Sequence, residues 1–149
     1  MNERELAIEA VVLETLRRGE RSSIVVAGMS MEPWIRRGDR VWLEPVGVGA
    51  RPLAVGDVVL VADDRIRQIH RVIAMDGGGL VVKGDACAGG AWEIAASLVA
   101  ARATSIERRG RSIPMRPWLG RFVAACSPYA RYYNRLLMLA IRLFRRETS

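Results

Sequence analysis

Ser30, His70 and Lys83 are the residues of this chain best suited to chemistry, and their scarcity narrows the choice. His70 is the only histidine and Lys83 the only lysine. Ser30 lies in Val25-Val26-Ala27-Gly28-Met29-Ser30-Met31-Glu32-Pro33-Trp34. There an apolar strand-type segment runs into small residues and leaves through a proline, which cannot donate a ladder hydrogen bond. A serine at such a corner is displayed as a nucleophile would be, although most serines at turns are ordinary turn residues. A serine hydroxyl needs a base within about 3 Å, and an imidazole can take its proton and later give it to a leaving amine. A carboxylate on the other ring nitrogen holds the tautomer and stabilises the imidazolium. Ser30, His70 and Asp85 fill these three roles in chain order. Lys83 is the competing base, effective only if buried enough to lose its proton. Taken alone, His70 reads better as a core or hydrogen-bonding histidine than as a base.

Three kinds of segment must position these residues. Asn2 and Glu5 read as an N-cap and its capping-box partner, and Leu6, Val12, Leu13 and Leu16 then recur at helical spacing, predicting an amphipathic helix within residues 1–22. From residue 23 to residue 113 the pattern is short apolar runs separated by glycines and acidic turns. Strands are predicted at 24–26, 40–43, 57–61, 66–73 and 80–82. The Asp76-Gly77-Gly78-Gly79 turn makes a hairpin that carries His70 on one strand and Lys83-Gly84-Asp85 at the end of the next. A second hairpin is predicted from 103–106 to 111–113. Residues 114–149 form an aromatic, arginine-rich tail. Ser127-Pro128 is a helix-start signal there, predicting a basic amphipathic helix over 128–146.

The 149 residues suit one domain with a real core. A net charge of +7 and a pI near 10.6 point to an acidic partner, or only to a preference for arginine, which supplies all but one of the 23 basic residues. Cys87 and Cys126 lie far apart with no metal-ligand spacing, so no metal or other cofactor is expected; they either pair in an oxidising compartment or stay as thiols. The first 20 residues lack a signal-peptide core. The apolar run between Arg135 and Arg142 is far short of the roughly 20 residues a spanning helix needs. The expected location is the cytoplasm or the surface of a membrane, where the 128–146 helix either lies among the headgroups or packs on the sheet.

Taken in order, Gly28-Met29-Ser30-Met31-Glu32-Pro33, Gly38-Asp39, Val55-Gly56-Asp57-Val58-Val59, Ile69-His70-Arg71-Val72-Ile73 and Lys83-Gly84-Asp85 resemble the motif boxes of the signal peptidase I superfamily, over about residues 24 to 90. Most bacterial signal peptidases and the self-cleaving repressor domains have lysine where this chain has His70. The endoplasmic-reticulum, archaeal and some spore-former enzymes have histidine followed by Arg-Val. The resemblance implies the Ser/His branch, with Ser30 as nucleophile, His70 as base and Asp85 as the acidic residue. It also implies a mainly β domain of the signal-peptidase type and a serine endopeptidase that cuts after small residues. Gly28, Met29, Met31 and Pro33 fall where the oxyanion hole and substrate contacts belong. The chain departs from the pattern at Gly28, where the family commonly has a hydroxyl residue. After Asp85 it also lacks the usual asparagine and second aspartate, leaving open whether Glu93 assists. No membrane anchor precedes Ser30, which favours a dedicated leader- or propeptide-cleaving enzyme.

The expected substrate is a peptide or protein with a cleavable leader, held as an added strand at a sheet edge. Met31, Trp34 and Trp42 are candidates for the apolar surface beside it, although each is more often core. The alternative is a catalytically idle peptide-binding or membrane-adaptor module of the same fold, favoured by Gly28. Nucleic-acid binding is not expected, because the arginines are dispersed and too few residues precede the β region for a helix-turn-helix module.

Overall fold

The computed structural model describes residues 3–47, 49–62, 67–87 and 89–127. Helix α1 (Glu3–Arg17) buries Val12 and Leu16, as their spacing predicts, and packs on the sheet, while Leu6, Ile8 and Val11 stay exposed. The expected Asn2 cap lies outside the described residues.

Eight strands follow in one curled antiparallel sheet: β1 (Ser22–Val25), β2 (Arg40–Pro45), β3 (Val58–Ala62), β4 (Arg67–Asp76), β5 (Gly79–Lys83), β6 (Trp92–Ala95), β7 (Val99–Arg108) and β8 (Arg111–Pro114). Their order is β1-β2-β7-β3-β4-β5-β6, with β8 also paired to β7. The long β7 is the hub. One edge takes β2, and the other takes β3 near its start and β8 near its end.

The run Val58-Val59-Leu60-Val61 is buried on both faces, which is why it reads as continuous rather than alternating. Val58 and Leu60 enter a cluster with Val12, Met31, Ile35 and Ile106. Val59 and Val61 enter a second cluster with Val72, Leu80, Val82 and Val99. One strand thus separates two cores.

The structure adds two elements to the sequence expectation. Strand β6 forms the outer edge beside β5, and helix α2 (Pro117–Cys126) packs on β4. Proline at its first turn suits α2, since that N–H has no intrahelical partner. A Cβ on Gly120 would lie 2.4 Å from the Gly56 carbonyl oxygen, and one on Gly56 would lie 2.5 Å from the Arg121 nitrogen. The two glycines let the α2 and β3-entry backbones touch, which explains a glycine inside a helix despite its propensity cost. The helix expected over 128–146 lies outside the described residues. No described helix is long and apolar enough to cross a membrane.

Candidate active site

The hairpin between β4 and β5 sets the geometry of the site. Side chains alternate along a strand, so His70 and Arg71 leave β4 on opposite faces. His70 pairs with Val59 and lies on the side of the second cluster, while Arg71 pairs with Val58, on the side of the first. Across the hairpin Arg71 pairs with Lys83. The same register continued one step past the end of β5 sets His70 opposite Gly84.

Ser30 is held at that glycine. A Cβ on Gly84 would lie 2.6 Å from the Ser30 carbonyl oxygen, 3.1 Å from the Ser30 Cβ and 2.9 Å from Cys87 Sγ. Any side chain at position 84 would displace the serine. The Ala86 N–H donates to the Ser30 carbonyl at 2.8 Å, fastening the Ser30 loop to the turn after β5. The far side of that loop is pinned by Asp39, whose carboxylate takes the Arg36 N–H at 2.7 Å and two Arg108 bonds at 2.9 and 2.6 Å. Burial raises the Asp39 pKa, but the hydrogen bonds from Arg108 and the Arg36 N–H outweigh it and hold the carboxyl below its usual range. The Glu32–Pro33 peptide within the loop is cis.

His70 is only 3 % exposed. The half-exposed Trp92 of β6 covers its ring in a T-shaped contact with centroids 4.8 Å apart. Burial depresses the imidazole pKa, because the cation is the form that loses most by leaving water. Nδ1 is buried with no hydrogen-bond partner. Ser30 Oγ also bonds to nothing among the described residues, so no hydrogen bond closes between Ser30 and His70. Catalytic bonds are often loose until substrate arrives.

Asp85 and Lys83 have other partners. Arg71 donates to both Asp85 oxygens, from Nε at 2.8 Å and Nη2 at 2.6 Å, and its Nη1 donates to the Gly56 carbonyl at 2.9 Å. Burial pushes the Asp85 carboxyl above its ordinary value against the opposing pull of Arg71 and Lys83. The expected bond from His70 Nδ1 to Asp85 is not made; the guanidinium in the adjacent β4 position holds the carboxylate instead. Lys83 Nζ donates to the Ser127 carbonyl at 3.1 Å, at the C-terminus of α2, where a cation is electrostatically favoured. Lys83 therefore points away from the Ser30 side of the hairpin.

No family model matches the chain, and no curated protein is similar to it at a significant level.

The remaining expected site residues divide by exposure. Gly28 and Met29 are exposed, and a Cβ at Gly28 would meet nothing within 4 Å. Met31 is core, 2 % exposed in the first cluster, and Pro33 is buried. Trp34 gives its carbonyl to Arg108, and Trp42 is part of β2. Glu93 alternates with Trp92 on β6 and so lies on the other face from the imidazole. Cys87 and Cys126 are both free thiols. Sequence reasoning passed over Trp92 and weighed Cys87 only as a thiol or disulfide partner. The one signal for a place at the site in either was closeness to the Lys-Gly-Asp box.

Proposed function

We propose that this protein is a serine endopeptidase of the signal-peptidase type, removing a leader or propeptide from a dedicated substrate. Ser30 is the nucleophile and His70 the general base. The observation that carries this reading is the glycine-sized seat at Gly84, which holds Ser30 against the end of β5 in a hairpin whose other strand carries a buried imidazole. Ser30 Oγ attacks the scissile carbonyl carbon as His70 takes its proton. Collapse of the tetrahedral intermediate breaks the C–N bond, and His70 returns the proton to the leaving amine. Water, deprotonated in turn by His70, then hydrolyses the acyl ester. A base kept neutral by burial suits this cycle. Among the described residues the Ser30 N–H donates no hydrogen bond, which leaves it available to the oxyanion. Asp85 enters as a positioning residue: paired with Arg71, it fixes the turn that carries Gly84 against Ser30.

An extended substrate is supported by the free outer edge of β1, which among the described residues pairs only with β2 and leads through Ala27 to Ser30. An apolar groove of about 760 Å³ runs beside it, lined by Val12, Leu13, Val25, Val26, Leu60 and Ile69. The preference for small residues before the cut rests on the family resemblance. A second reading, an idle peptide-binding module, is favoured by the unpartnered His70 Nδ1 and by a Ser30 hydroxyl that makes no hydrogen bond among the described residues.

The test is incubation of the wild type, Ser30→Ala, His70→Ala and Lys83→Met with a library of leader peptides, read by mass spectrometry. Cleavage by wild type and Lys83→Met, lost by a factor of about 10³ or more in the other two, is the expected outcome. Peptide binding without cleavage by any form moves the assignment to the idle module.

A further inference from the structure

Charge is strongly segregated along this chain. Residues 108–146 contain ten arginines and no aspartate or glutamate, a block of +10. The other residues hold 13 basic against 16 acidic groups, a net charge of −3. The described part of the block runs from Arg108, which is paired with Asp39, through β8 and α2. Arg109, Arg111, Arg116 and Arg121 are exposed there, and none of these four forms an ion pair among the described residues. Trp118 and Phe122, four residues apart and so on one side of α2, are 64 % and 62 % exposed, while Gly120, Val123 and Ala124 are turned to the sheet. A water-facing helix has no reason to show two large aromatics among unpaired cations. Exposed rings flanked by arginines suit the boundary between headgroups and acyl chains, and the excess positive charge suits anionic headgroups.

We propose that the outer face of α2, with Arg109 and Arg111 of the β7–β8 hairpin, docks on an anionic lipid bilayer. The fold also sets the orientation. Helix α2 sits on the Arg71 and Lys83 side of the β4–β5 hairpin, with Lys83 bonded to its last turn, whereas His70 leaves β4 on the other face. A bilayer on α2 leaves the His70 face turned to the aqueous phase. Docking does not depend on the peptidase assignment, and its tests involve no cleavage.

The full chain is assayed for co-sedimentation with vesicles of phosphatidylcholine alone and of phosphatidylcholine with one third phosphatidylglycerol. The expected result is partition to the anionic vesicles only, weakened about fivefold for each of Arg116→Gln and Arg121→Gln. Trp118→Ser/Phe122→Ser is expected to weaken it further while its thermal unfolding stays that of the wild type. Equal binding by this double variant overturns the proposal by moving the contact to residues outside α2. So does tighter binding to a DNA duplex than to vesicles. Self-association abolished by the double variant, with vesicle binding unchanged, assigns the face to a second copy and also overturns it. Orientation is read with lipids brominated in the acyl chains. Quenching in wild type that is lost in Trp118→Phe, with binding retained, supports it; quenching that persists sets another tryptophan, such as Trp92 over His70, at the lipid and overturns it.

Discussion

The two faces of the β4–β5 hairpin carry comparable numbers of polar groups and treat them in opposite ways. On one face Arg71 spends its guanidinium on Asp85 and the Gly56 carbonyl, and Lys83 closes the last turn of α2. On the other, a buried imidazole leaves Nδ1 unbonded, and at the hairpin's end a serine hydroxyl has no partner among the described residues. A satisfied buried network specifies and stiffens a fold, whereas an unsatisfied buried group costs stability wherever nothing uses it. The contrast sets a satisfied, stabilising network on the Arg71 face and an unsatisfied buried imidazole on the His70 face, although the two residues are neighbours in sequence.

The largest effect is expected where that contrast is broken from the stable side. Arg71→Met leaves Asp85 buried without its guanidinium and is expected to cost about 3–5 kcal/mol in urea unfolding. Arg71→Met/Asp85→Leu should recover most of that loss, because no charge is then stranded. A cost for Arg71→Met no greater than for an exposed arginine contradicts the contrast.

A medium effect is expected in pH. The His70 pKa is depressed from its ordinary 6.5 by burial, so the neutral base persists below that pH. The acid limb of kcat/KM is expected below pH 6.5; a limb above it contradicts a buried neutral histidine base. Stability has a matching sign. In the window between the lowered folded value and 6.5 the unfolded chain binds more protons, so stability falls as pH falls through it. His70→Gln should flatten that slope in pH-dependent urea unfolding.

The smallest effect sharpens the proposed chemistry. Gly28→Ser adds a hydroxyl where a Cβ meets nothing, so it should leave stability within about 0.5 kcal/mol. Peptide hydrolysis should gain in kcat, by about tenfold at most, with KM little changed if the hydroxyl reaches the oxyanion. A lower kcat excludes position 28 from oxyanion stabilisation.

Much of the sheet was legible because its strands announce themselves. The 57–61 run, the glycine turn after Asp76 and the 103–113 hairpin all appear within a few residues of their expected bounds. Strand β6 was not legible, since Trp92-Glu93-Ile94-Ala95 is short, mostly exposed and defined only by its pairing with β5. Helix α2 was hidden by Gly120, which lowers local helix propensity and is explained only by its contact with Gly56. At the site, sequence order suggested that Asp85 reaches His70. Local spacing could not reveal that the neighbouring Arg71 takes both carboxylate oxygens. The seat at Gly84 was likewise invisible, because what it excludes is 54 residues away in the chain.

The double burial of β3 makes one ladder of amides a party wall. Val58 and Leu60 cannot be exposed to solvent without tearing the pairing that holds Val59 and Val61, so neither hydrophobic cluster can melt while the other persists. Among the described residues the slowest hydrogen exchange is expected in β3 and in β4 and β7, which bond on either side of it. Opening there is a global event that carries the His70 strand with it.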